Sequence, residues 1–453
     1  MRFRSETEAI TYVFESIANS NWRHRGLDED TRDLTPTKRL LARLGLPAKD
    51  RDYVVVTGSK GKGSVSAITA KLLQHLGHTV GLVTSPHLST YRQRFRINGR
   101  MIAESALVRL VNELAPDIEA VEATLEPGKY LSPQGIFLAM ALKWFDENDV
   151  TAAVVEVGRG GRFDANALVD NKLSLFTPII LEHARYMGNS VDRIAWHKAG
   201  IIKPGTDAYS LPQSAVVQAI LQEETDRQQA SLEFIAPEDI GRYLGPTDSG
   251  MRVDFGLYGV VDFPMLGRYE IANASLALRA ARNIHRRLRS DIVIDSPEYL
   301  DSIRAGLQSV FWPGRCQKLQ DHPVVYVDGA HNTTSAPLFI ESVRERLTEP
   351  VITVLAVPTD RDYKAVYPMY AEISDALVIT QSTRNITISF PDEATALPVA
   401  RQFHQDVTYR PDMAEALQLA LQKAGPEGTV LLAIAQPAIG DTMVVYGLEF
   451  EQI

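Results

Sequence analysis

The chain has 453 residues, of which 45% are hydrophobic. At about 150 residues per domain this leaves room for about three units, or for two large ones with insertions. The 47 Lys and Arg against 56 Asp and Glu give a net charge of −9, which argues against a broadly basic nucleic-acid binder. A single cysteine, Cys316, excludes an internal disulfide framework and an all-Cys zinc site.

The start, Met1-Arg2-Phe3-Arg4-Ser5-Glu6, has no apolar signal core, and no apolar run approaches the roughly 20 residues of a membrane helix. A cytoplasmic protein with no membrane contact is expected. Ile10, Val13, Phe14 and Ile17 form one helical apolar stripe, and Leu40, Leu41 and Leu44 another. Between them Ala18 to Thr35, with Trp22 and His24, reads as a charged surface loop, either solvated or on a ligand rim.

From Tyr53 strands and helices alternate. Tyr53 to Thr57, Val80 to Thr84, Ala152 to Val157, Leu173 to Pro178 and Ala208 to Leu211 read as strands. Ser64 to Leu76, Gln134 to Trp144, Val191 to Ala199 and Ser214 to Thr225 read as helices. That order predicts a mostly parallel sheet covered by helices. Met251 to Phe263 alternates and predicts a small antiparallel addition, followed by a long helix from Tyr269 to Arg287. A second α/β unit, Rossmann-like, is predicted from strands at Pro323 to Asp328, Val351 to Ala356, Ala376 to Thr380 and Thr429 to Ala433, with helices at Ser335 to Leu347 and Asp412 to Lys423. The expected domains are 1–306 and 307–453.

The sharpest local feature is Thr57-Gly58-Ser59-Lys60-Gly61-Lys62-Gly63-Ser64, after a predicted strand and at the start of a predicted helix. Glycines permit the sharp turn and expose backbone N–H groups, which bind phosphate together with the helix N-terminus. Lys62 would offset β/γ-phosphate charge, and Ser64 would place a hydroxyl on Mg²⁺. The spacing is compressed relative to the general phosphate-loop pattern. Two lysines and a final serine suit a triphosphate with metal better than a dinucleotide.

Further blocks follow in order. They are Thr84-Ser85-Pro86-His87-Leu88, Arg94-Phe95-Arg96-Ile97-Asn98-Gly99, Glu156-Val157-Gly158-Arg159-Gly160-Gly161-Arg162-Phe163-Asp164-Ala165, Ile194-Ala195-Trp196-His197-Lys198-Ala199-Gly200-Ile201, Trp312-Pro313-Gly314-Arg315 and Asp328-Gly329-Ala330-His331-Asn332. Together they resemble the Mur ligase superfamily, most closely folylpolyglutamate synthase and dihydrofolate synthase. The resemblance implies a P-loop ligase domain followed by a smaller α/β domain. It also implies an ATP-dependent ligation in which a carboxylate becomes an acyl phosphate and an amine then displaces phosphate. The expected partners are a folate and L-glutamate, and a monomer is expected.

Residue by residue, the resemblance places Gly58, Ser59, Lys60, Gly61, Lys62, Gly63 and Ser64 on the phosphates. It assigns Ser64, Glu156, His183 and Lys198 to metal, with Lys198 carbamylated so that it supports a second Mg²⁺. Arg315 reaches phosphate oxygens, Asp328 the ribose, His331 the nucleotide and Asn273 the adenine. Lys62, His183, Lys198 and Arg315 are the expected catalytic set. The chain departs from the family at Gln134, where an acid is usual, at Glu182 of Ile180-Leu181-Glu182-His183, and at Tyr269-Glu270, where His-Gln is usual. The second unit departs at Ala356 to Asp362 and at Ala435-Gln436. A non-folate carboxylate acceptor and a non-catalytic nucleotide-binding scaffold are the other readings. Arg92, Arg94, Arg96 and Arg100 around Tyr91 and Phe95 predict a mobile substrate-side loop, an RNA-stacking surface or a solvated edge.

Overall fold

The structure, a computed structural model, describes residues 2–20, 22, 26–289, 293–385 and 387–453. It is mixed α/β: a large sheet domain carrying a small antiparallel sheet, then a smaller α/β domain. The large sheet contains β1 (Asp52–Thr57), β2 (Val80–Val83), β3 (Phe95–Ile97), β4 (Arg100–Met101), β5 (Ala152–Glu156), β6 (Asn171–Phe176), β7 (Asp207–Ser210) and β8 (Ser231–Phe234). Their order is β4-β3-β2-β5-β1-β6-β7-β8. All pairings are parallel except β2 with β3 and β3 with β4.

The central strands are continuous apolar runs because helices cover both faces. Val54, Val55 and Val56 of β1 and Val154 and Val155 of β5 are wholly buried. One face packs against the helices Glu6–Ala18, Glu104–Glu122 and Pro133–Glu147, the other against Lys62–His75, Glu270–Leu288 and Pro297–Ser309. The antiparallel addition is β9 (Arg242–Pro246), β10 (Met251–Asp254) and β11 (Val260–Phe263), in order β11-β10-β9. The second domain contains β12 (Gln317–Asp321), β13 (Val324–Asp328), β14 (Val351–Ala356), β15 (Ala376–Ile379), β16 (Val407–Tyr409) and β17 (Thr429–Ile434), in order β12-β13-β17-β14-β15-β16, with only β12 antiparallel.

The helix Pro297–Ser309 crosses position 306 and packs on the first domain, where a Cβ on Gly306 would lie 3.0 Å from a Leu72 methyl. Two sequence expectations need correction. The segment from Ala18 to Thr35 is not simply a solvated loop, because it holds the short helix Asp28–Thr31 with Asp28 buried; His24 lies outside the described residues. The arginine-rich segment is not one substrate-side loop either. Tyr91–Arg94 is a 3₁₀ turn and the residues after it form β3 and β4; Arg96 is fully buried, Arg92 pairs with Glu6, and Arg100 is exposed. Two-residue and three-residue strands offer too few alternating positions for a sequence pattern to register. No helix among the described residues is long and apolar enough to cross a membrane.

Candidate active site

The strand β1 delivers the chain into the glycine loop, and the helix Lys62–His75 carries it away. Glycine is required at three positions by close approach. A Cβ on Gly58 would fall 1.9 Å from Thr177 Oγ1, one on Gly61 2.6 Å from Asn273 Oδ1, and one on Gly63 2.9 Å from Trp312 Nε1. Gly58 and Gly61 also have positive φ, of 141° and 88°. Ser59 N–H donates to Pro178 O at 2.8 Å, and Ile180 N–H donates to Ser59 Oγ at 3.1 Å. The loop is thereby fastened to the segment that leads to Glu182 and His183.

Cations crowd this loop. Lys62 Nζ donates to Gly58 O at 3.0 Å and Lys198 Nζ to the same oxygen at 2.6 Å. Lys198 also pairs with Glu182 at 3.2 Å. Burial pushes Lys198 down to about 8 despite Glu182, and pushes Lys60 down to about 8 in the same way. Burial favours the neutral form of Glu182, yet Lys198, Lys62, His183 and Lys60 together hold it down at about 2. His183 sits at φ 51° and is lowered to about 4 by burial, so its imidazole is neutral at pH 7.

Glu156 closes β5 with its side chain buried, which raises its pKa against the pull of Lys62. Its Oε2 accepts from the backbone N–H of Ser85 at 2.9 Å. Ser85 was not singled out as a site residue in the sequence, because a serine after a strand carries no signal of which carboxylate it meets. Ser64 Oγ donates instead to Glu270 Oε1 at 2.7 Å, and Asn273 Nδ2 donates to Glu270 Oε2 at 2.8 Å. Burial lifts Glu270 to about 7. Among the described residues no group of three or more His, Cys, Asp or Glu is placed to hold a metal.

A narrow cleft of about 40 Å³ brings Gly63, Ser85 and Glu156 of the first domain against Trp312, Arg315 and Gln436. Arg315 thus lines the same cleft as Gly63 of the glycine loop. Asp328 Oδ2 accepts from Cys316 N–H at 2.7 Å and from the Tyr269 hydroxyl across the domain junction. His331 Nδ1 is buried with no hydrogen-bond partner among the described residues, and burial with nearby Lys60, Arg361 and Arg315 holds the ring down at about 3.

A second, larger cavity of about 230 Å³ has Gly158, two residues beyond Glu156, in its wall. Phe14, Tyr130, Phe137 and Phe163 give it aromatic faces, and Arg94, Arg32 and Gln134 line its polar side. Arg94 lies over the Phe137 ring at 5.3 Å and is pushed down to about 10 by burial. The segment holding Arg32 is anchored from below. Arg159 donates two hydrogen bonds to Asp28 at 2.9 and 2.6 Å, and Arg32 donates to Phe163 O at 3.3 Å. Only tertiary proximity joins these segments, so the sequence offered Gln134 and Arg94 separately and missed the cavity.

Comparison with known proteins agrees with this geometry. The family described as Mur ligase, glutamate ligase domain, matches residues 314–434. The dihydrofolate synthase/folylpolyglutamate synthase of Bacillus subtilis (strain 168) is 31% identical over 348 residues, 75% of this chain and 79% of that protein. The folylpolyglutamate synthase of Lacticaseibacillus casei is 29% identical over 401 residues, 87% of each chain. The Mycobacterium tuberculosis folylpolyglutamate synthase complexed with ADP and AMPPCP superposes with a TM-score of 0.82 at 25% identity, covering 98% of this chain and 99% of that one.

The fold and the phosphate cleft thus define an ATP-dependent ligase of the Mur type. Within that class, the chain belongs to the dihydrofolate synthase/folylpolyglutamate synthase family.

Proposed function

We propose that the chain joins L-glutamate to a folate carboxylate at the expense of ATP, releasing ADP and phosphate. The observation that carries this reading is a pair of cavities lined by neighbouring residues, Glu156 in one and Gly158 in the other. One is the cationic phosphate cleft, and the other is an aromatic slot with an arginine able to take a flat, acidic ring system. A division between two domains a few residues beyond 306 is supported by the packing of the helix Pro297–Ser309 on the first domain and by the start of the family match at 314. Both cavities are built by one chain, so the reading needs no second copy.

In this mechanism the glycine loop and the N-terminus of Lys62–His75 grip the triphosphate. Lys62, Lys60 and Arg315 offset the charge on the transferring phosphoryl group. The acceptor carboxylate oxygen attacks the γ-phosphorus, the bond to the β-phosphate oxygen breaks, and ADP leaves. The glutamate amine then attacks the acyl carbon, phosphate departs, and the amine releases a proton. Closure of the second domain through Arg315 excludes water, which would otherwise hydrolyse the acyl phosphate.

The residues present fit Mg²⁺. That ion takes one or two carboxylates and completes its shell with phosphate oxygens and water. Glu156 keeps Oε1 outside its bond to Ser85, and neutral His183 offers a lone pair. Bound there, Mg²⁺ would supply positive charge opposite the phosphoryl oxygens. Lys198 fits carbamylation, because only a neutral amine adds carbon dioxide and burial lowers this one to about 8. A carbamate at Lys198 would face the Glu182 carboxylate, and that pair of anions calls for a second cation.

The test is direct. Purified protein with ATP, Mg²⁺ and a panel of pteroates, folates and other cofactor acids, each with single amino acids, is followed for ADP and for amide mass. Folate-dependent ADP with a one-glutamate mass increment is expected. Product only from another acid would overturn the acceptor, and nucleotide binding without any product would favour a scaffold.

A further inference from the structure

The residues from Thr84 to Arg94 touch three places at once. At one end Ser85 meets Glu156, and at the other Arg94 lies over Phe137 in the aromatic cavity. Between them the segment is held by the second domain. Leu88 is buried in that domain's core beside Ile439 and Met443, and the Gln436 side chain donates to His87 O. A Cβ on Gly440 would fall 2.2 Å from Leu88 O, so the helix Gln436–Val445 approaches the loop as closely as a glycine allows.

Gln93 is the hub of this contact. It is 6% exposed, and its carboxamide uses both halves. Oε1 accepts from Leu88 N–H at 3.0 Å and Ser89 N–H at 3.1 Å. Nε2 donates to Ser89 Oγ at 3.0 Å and, across the domain junction, to Glu449 O at 2.7 Å. The residues after Glu449 continue along the sheet edge. Arg96 donates to Phe450 O at 2.8 Å and Glu451 O at 3.2 Å, Met101 N–H to Glu451 O at 2.9 Å, and Lys71 Nζ to Ile453 O at 2.7 Å. A buried amide with all four sites used holds one geometry, since losing either side leaves a polar group unpaired.

We propose that Gln93 is a positioning residue through which the second domain sets the loop from Thr84 to Arg94. It thereby fixes Ser85 at Glu156 and Arg94 at the aromatic cavity together. Nucleotide binding at the domain junction then orders the acceptor side. This rests on the assignment of the two cavities above, although its first test needs no acceptor.

Gln93→Glu keeps the acceptor to Leu88 and Ser89, removes both donors, and turns a carboxylate toward the Glu449 carbonyl. Amide hydrogen exchange of the full chain is compared with and without AMPPCP and Mg²⁺. In the wild type the analogue should slow exchange across 85–90 by about tenfold. In Gln93→Glu that gain should vanish, while protection gained at the start of the helix Lys62–His75 stays. Gly440→Ala, which pushes the same contact from the other side, should reproduce the loss and decides the matter if Gln93→Glu does not fold.

In steady state, Gln93→Glu should raise the acceptor KM about tenfold with the ATP KM within about twofold, a split that general destabilisation would not give. Equal protection of 85–90 in wild type and variants, or no protection in the wild type, would overturn the proposal. If the analogue protects as expected but no folate is ligated, the acceptor assignment fails and the positioning role stands.

Discussion

The phosphate cleft, lined by Glu156, and the aromatic cavity, lined by Gly158, differ in how much of each a single motif supplies. The cleft has at its base one continuous turn, Gly58 to Ser64, whose geometry is forced by close packing against Thr177, Asn273 and Trp312, and takes its other walls from Ser85, Glu156, Arg315 and Gln436. Its cations converge on the turn, where half-buried Lys62 and buried Lys198 both donate to Gly58 O. The cavity gathers Phe14, Arg32, Arg94, Tyr130, Phe137 and Phe163 from separate stretches, and its charged walls are braced by pairs such as Arg159 with Asp28. The contrast teaches that chemistry common to a reaction class can sit in a local motif, whereas recognition of one acceptor is spread over the tertiary structure.

That contrast can be broken by mutation. The largest effect is expected from Lys62→Ala, a loss of about 10³-fold in kcat with the fold retained on circular dichroism. Wild-type-like turnover would remove the phosphate role of the cleft. Lys198→Ala should cost about 10²-fold. In the wild type, enzyme freed of bicarbonate should lose activity and regain it on adding bicarbonate. Recovery should be faster at pH 8.5 than at pH 6.5, because the neutral amine fraction grows as pH passes about 8. A recovery that ignores pH and bicarbonate would rule out carbamylation.

On the cavity side, Arg94→Ala should raise the folate KM about tenfold and leave the ATP KM nearly unchanged. An equal shift in both constants would show that the two cavities do not divide the labour.

The smallest effect concerns Glu270, whose folded-state pKa of about 7 lies above its unfolded value. Its stabilising contribution is complete below the unfolded pKa of about 4.3 and is lost as pH rises through about 7. Without nucleotide, the melting temperature of Glu270→Gln relative to wild type should therefore rise by about 2 °C between pH 5.5 and pH 8.5. A flat difference would mean that Glu270 is already ionised when folded.

Legibility in the sequence followed the same divide. Apolar runs such as Val54-Val55-Val56 announce buried strands because covering helices leave no polar face, and the helix Val191–Ala199 is read correctly to the residue. Glu156 and Lys62 stand at strand and helix ends that a linear pattern can locate. Arg96 shows the limit. Beside Arg94 in an arginine-rich block it looks like a ligand contact, but it is spent on the carbonyls of Phe450 and Glu451, more than 350 positions away.

By itself the sequence determined the layered α/β architecture and the phosphate turn, because strand periodicity and glycine-dependent turns are short-range effects of backbone sterics, while the kind of reaction came from the resemblance of its motif blocks to a ligase family. Tertiary structure alone decided that Ser64 turns to Glu270 while Ser85 meets Glu156, that an aromatic cavity exists, and that Gln93 joins the two domains. Those facts depend on which distant groups are brought within hydrogen-bonding reach, and no local pattern encodes such a meeting.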